Sequence, residues 1–235
     1  MFIVNVARVK QGLAAELVPD SEKKIEGGSR GDVDWAIAPV RLEDGLPEWS
    51  AVLMRAEKES AIKRLQEDKD NPGQYVPTLV KNTSTEEIIV FIPHRDNDPV
   101  LLIGKTQIAK EALGALRLFK PYIELERVKF DIQRLNSQYK SSAWMLAFAK
   151  EGHVKAGMLY GTTIMQDPLV EGGSLQTLAN QAGIELPLPG ERVKVRVLRD
   201  GGIQLYHTYN YGLLQDKEAL NKTVLAVKEL LSFEE

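Results

Sequence analysis

Cysteine is absent from this 235-residue chain, which removes disulfides, thiolate nucleophiles, iron–sulfur clusters and cysteine-ligated zinc from consideration. Histidine is nearly as scarce. His94, His153 and His207 stand 59 and 54 residues apart, so no pair has the helical spacing of a zinc site. Also missing is any uncharged apolar run of the roughly 18 residues that a membrane-spanning helix needs. The opening MFIVNVARVKQG meets charge within ten positions and lacks the basic region and the ~7–15-residue apolar stretch of a secretory signal. These absences lead us to expect a cytoplasmic chain with no cofactor. What is present, 43% hydrophobic and 27% charged residues, is the balance of a folded domain and not of a disordered or coiled-coil chain.

A net charge of −3 is too close to neutral to mark a polyanion-binding protein by itself, but the charge is unevenly spread. Residues 105–160 hold 10 basic and 5 acidic side chains, whereas the flanks 1–104 and 161–235 are net negative. The same central stretch carries Phe119, Tyr122, Phe130, Tyr139, Trp144, Phe148 and Tyr160. Cations interleaved with aromatics are a footprint of single-strand nucleic-acid surfaces; core aromatics beside solvated lysines are the plainer reading of the same pattern.

Turn-forming clusters divide the chain at Asp68–Gly73, at Pro93–Pro99 and at the glycine-rich Glu26–Asp32. Residues 2–9, 33–41, 88–92 and 100–103 suit strands, and 107–119 suits a helix that Pro121 ends. From Glu48 to about Gln66 the spacing of Val52, Leu53, Ala56, Ala61, Ile62 and Leu65 predicts a helix. Residues 128–135 read as a strand. Residues 143–149 and 154–161 form a hairpin turning at Lys150–His153, with Trp144, Leu146 and Phe148 on one face. Gly172-Gly173-Ser174 opens a short helix to about Ala182, with Ser174 as its cap. A second hairpin pairs 192–199 with 203–209 over Asp200-Gly201-Gly202, and a helix from about Leu213 to Leu231 closes the chain. The expectation is an α+β fold: largely antiparallel sheets built from hairpins, with helices packed on one face. Two units, 1–104 and 105–235, and one continuous domain fit equally well.

Most motifs fail on inspection. Ile103-Gly104-Lys105-Thr106 resembles the end of a phosphate-binding loop, but Pro99 stands where the first glycine is required. Gly104 is then a strand-to-helix turn and Thr106 a helix cap. Asp68-Lys69-Asp70 opens like a calcium loop, yet Pro72 and Leu79 occupy ligand positions. Asp131, Lys155, Asp167, Glu171, Glu191 and Lys194 form an acid-and-lysine set on consecutive strands, which suits a metal-dependent phosphodiester hydrolase. The Glu191–Lys194 offset of three places that pair on opposite strand faces.

The leading expectation is therefore a non-enzymatic binding or assembly protein working through the hairpin sheet at 128–161. For a nucleic-acid partner, Lys129, Arg134, Lys140, Lys150 and Lys155 contact phosphate and Tyr139 and Trp144 stack on bases. A protein partner is the other option for that surface. The alternatives are the hydrolase, with Asp131, Asp167 and Glu171 as ligands and Lys155 beside the nucleophile, and a structural subunit of a homo-oligomer using Trp35 and Trp49.

Overall fold

The computed structural model describes residues 3–26, 33–41, 48–68, 71–95, 98–149, 156–162, 164–167, 170, 175, 178–206 and 217–235. Its strands are β1 (Ile3–Gln11), β2 (Lys23–Ile25), β3 (Trp35–Val40), β4 (Trp49–Glu67), β5 (Tyr75–Pro93), β6 (Val100–Gly104), β7 (Glu124–Arg127), β8 (Ala143–Ala149), β9 (Ala156–Tyr160), β10 (Ala179–Leu188), β11 (Glu191–Leu198) and β12 (Gly202–Leu205). The α-helices are α1 (Thr106–Phe119), α2 (Ile132–Gln138) and α3 (Lys217–Leu230). The described strands form one twelve-stranded sheet in the order β2-β3-β4-β5-β6-β1-β12-β11-β10-β8-β9, with β7 pairing β1. All the pairings are antiparallel. The protein is mostly sheet with few helices. Strand β1 joins its two ends, bonding β6 on one side and β12 and β7 on the other.

Strand alternation sends neighbouring residues to opposite faces, and here both faces are buried near the centre. Val4, Trp49, Ala51, Phe91, Leu101 and Ile103 join Val193, Val195 and Val197 under α2 and α3. Val52, Met54, Val90, Ile92, Val100 and Leu102 lie on the other side, under α1. Helices therefore cover both faces of the sheet, not one. At roughly 25 cal/mol per Å² of apolar burial, these two cores supply the main driving force for folding.

Four local readings are corrected. Residues 49–67 are a strand, β4, paired residue for residue with β5 from Trp49↔Pro93 to Glu67↔Tyr75. Burial of both faces at its base erases the period-two contrast, and its Glu, Lys, Arg and Ala residues favour helix locally; the β-branched β5 partner overrides them. Residues 128–135 are not a strand. The strand β7 ends at Arg127, and Asp131 caps α2 by accepting a bond from the Arg134 N–H at 3.0 Å. Ala179–Ala182 belongs to β10, not to a helix; the Gly172–Ser174 helix start lies outside the described residues. At the β6–α1 junction the cap position is Lys105, without a side-chain bond, and Thr106 is the first helical residue.

Candidate functional site

Beyond α1, no described helix packs on the α1 face of the sheet across β11, β10, β8 and β9; Gln204 and Met145 on it are buried, while Arg192, Lys194, Met158 and Tyr160 are exposed. The sequence Arg192-Val193-Lys194-Val195-Arg196-Val197 alternates strictly. Its three valines are fully buried in the α2–α3 core, so Arg192, Lys194 and Arg196 project from the opposite, open face, each about 6.6 Å from the next. Lys194 reaches Glu185 at 3.8 Å with half its side chain exposed, a pairing worth little in water. Arg196 donates to the Gln181 side-chain oxygen, a neutral partner, and among the described residues no carboxylate pairs with it.

Trp144 belongs to this face. A register shift between Gly183 and Ile184 in the β10–β8 pairing inserts it as a bulged residue, which separates it from Leu146 and the α2–α3 core. Its indole lies over Gly183, where a Cβ would fall 2.8 Å from the ring. Any side chain at position 183 would displace the indole. Tyr160 stacks against Trp144 at 6.4 Å between ring centroids and 21° between planes, and Tyr206 meets it edge-on at 5.1 Å and 88°. Tyr160 is 67% exposed and Tyr206 45%, so the group presents aromatic surface to solvent. The shielded Trp144 indole N–H has no acceptor among the described residues.

The remaining residues expected at the interface are dispersed. Tyr139 is buried beside Phe233, with its hydroxyl 3.4 Å from Glu229; burial, and then the Glu229 charge, push that phenol above its usual value. Arg134 lies over the Phe233 ring at 5.6 Å, on the α2–α3 side of the sheet and away from Trp144. Lys129 and Lys140 are exposed, and the Lys129 carbonyl accepts a bond from Glu235. Lys150 and Lys155 lie outside the described residues. Elsewhere in the central stretch Lys110 and Arg127 share Asp200, at 3.4 and 3.3 Å, so part of the cation surplus is met by an acid from the C-terminal flank.

The hydrolase carboxylates are used separately. Asp131 caps α2, Glu191 accepts from Lys222 at 2.8 Å, and Asp167 is an exposed residue after a short helical turn, Ile164–Gln166. Glu191 and then Glu218 hold Lys222 well above the usual lysine range. Glu171 lies outside the described residues, as do His153 and His207. Among the described residues no group of three or more His, Asp or Glu side chains is placed to hold a metal ion. Trp35 and Trp49 are buried, and so neither forms an exposed oligomer surface.

The residues that sequence reasoning passed over are Arg192, Arg196, Tyr206 and Gln181. The alternation of 192–197 carries a usable signal for the first two. The partnership of Tyr206 with Trp144 is a tertiary fact with no local trace. No protein-family model matches the chain, and no curated protein matches it.

Proposed function

We propose that this is a binding protein whose open sheet face takes a single-stranded nucleic acid. The observation that supports this reading above the others is the Trp144–Tyr160–Tyr206 group, with its half-buried indole and two exposed tyrosines, beside the Arg192–Lys194–Arg196 row. Unpaired bases present flat π-surfaces that stack on such rings, and the alternate cations of β11 repeat at a spacing suited to successive phosphates of an extended strand. The Gln181 side-chain amide, on the same face as Arg196, adds a polar group that a base edge can meet. A duplex hides its base faces, so a single strand is the better fit to an aromatic platform.

The test is fluorescence anisotropy of labelled single-stranded DNA and RNA oligonucleotides at ~50 mM salt, where phosphate contacts are strong. Binding is expected, weakening steeply with salt, and Trp144→Ala is expected to weaken it about ten-fold or more. Absence of binding to both oligonucleotides would overturn the reading, as would binding that Trp144→Ala leaves unchanged.

A further inference from the structure

The hairpin of β4 and β5 outruns the sheet. Partner β3 ends on β4 at Ala56, and β6 meets β5 only at Ile89–Phe91. Lys58 pins the base of the free part to Glu86 and to Glu111 of α1, at 2.6 and 2.7 Å. Beyond it a two-stranded arm projects about 30 Å to the turn at Asn71–Gln74, where Gly73 adopts φ +88°. An isolated hairpin is marginal in water, yet this arm leaves Leu65, Tyr75 and Leu79 each at least 65% exposed.

Directly paired residues point to the same face. One face of the distal arm therefore carries three successive rows: Lys63 with Leu79, Leu65 with Pro77, and Glu67 with Tyr75. The pattern is self-complementary. A two-fold axis through the central row, lying across the strands, sets Leu65 on Leu65 and Pro77 on Pro77 of a second copy. The same operation sets Lys63 over Glu67, and Leu79 over Tyr75, in both directions. We infer that this arm face is an isologous interface with a second copy of the chain, two arms packing face to face as in a small β-sandwich. The Lys63–Glu67 match supplies the charge complementarity, and the apolar central row is what the contact removes from water. Among the described residues both strands of the arm have a free edge, and on β5 Pro77 removes a backbone donor and so disfavours edge-to-edge pairing through that strand. The contact covers roughly 200–300 Å² per copy, well under the ~800 Å² of a standard interface, so the dimer is weak and concentration-dependent.

Sedimentation velocity of the full chain from ~10 µM to ~1 mM tests this, and the average mass is expected to rise toward that of a dimer. Leu79→Glu and Lys63→Glu should each abolish the rise, and Lys63→Glu combined with Glu67→Lys should restore it. All three substitutions are at exposed arm positions, and circular dichroism checks that the sheet is intact. A monomer throughout, a dimer indifferent to Leu79→Glu, or a charge swap that fails to rescue would overturn the inference. So would loss of oligonucleotide binding in Leu79→Glu, which would make the arm a nucleic-acid clamp instead.

Discussion

Gly201 and Gly73 adopt nearly the same left-handed φ, +87° and +88°, in different surroundings. A Cβ at Gly201 would fall 2.4 Å from the Val128 carbonyl oxygen, whereas nothing lies within 4 Å at Gly73. Gly73→Ala should cost only the conformational strain, about 1–2 kcal/mol. Gly201→Ala should cost clearly more, because backbone must move where β1, β7 and β12 meet. Denaturant unfolding of the two variants reads the difference, and equal losses would contradict the packing at that junction. The cations of β11 give a second residue-level expectation. Replacing Arg192, Lys194 and Arg196 by Gln should lower the salt slope of oligonucleotide binding by about 2, since each single-strand phosphate contact contributes roughly 0.7. An unchanged slope would place the phosphates elsewhere.

Helix α2 exists largely through its first turn: seven residues, with Ile132 and Leu135 buried and Asp131 as the cap. Asp131→Ala should destabilise the chain by about 1 kcal/mol and leave any binding unchanged. A loss of magnesium-dependent hydrolysis in that variant, with stability intact, would instead revive a ligand role for Asp131. Cap and strand type were the harder features to foresee. The patterns of β1, α1, β11, β12 and α3 were legible because one periodicity dominates each; β6 and the Ile88–Ile92 end of β5 were legible as continuous apolar runs, and the rest of β5 was not read. In β11 the valines and cations alternate without interruption; in α1, Ile108, Ala112 and Leu116 line one buried side. Strand β4 was illegible because its base is buried on both faces and its arm has helix-forming composition. Trp144 was assigned to the wrong face because a bulge, set by pairing with β10, breaks the alternation that local reasoning assumes. The working face itself was only half legible. Trp144 and Tyr160 stood out as aromatics in a basic stretch, but the cations that flank them come from β11, more than thirty residues away in the chain.

Across the whole molecule the charge is finely divided, and the surplus of the central stretch is partly neutralised from the flanks, as at Asp200. Two groups tie this network to pH. At Lys58, burial opposes the charge, but the bonds to Glu111 and Glu86 outweigh it and raise the affinity for the proton. At Tyr139, burial leads and Glu229 adds to it, again raising the value. A raised value means a contribution that is intact below the unfolded values of 10.0 and 10.5 and lost as pH climbs through the folded ones. Denaturant stability should therefore hold up to about pH 10 and fall above it, with a shallower alkaline fall in Tyr139→Phe. A stability that rose above that point would contradict these assignments.

The recognition reading depends on the open face, and the three tryptophans give it an internal probe. Trp35 and Trp49 are buried, at 1% and 6% exposure, while Trp144 lies in the aromatic group on that face. Titrating the chain with an unlabelled single-stranded oligonucleotide should quench tryptophan emission saturably, and Trp144→Phe should abolish the quenching while binding persists by anisotropy. Emission unmoved by a saturating oligonucleotide, or quenching that survives Trp144→Phe, would contradict the account.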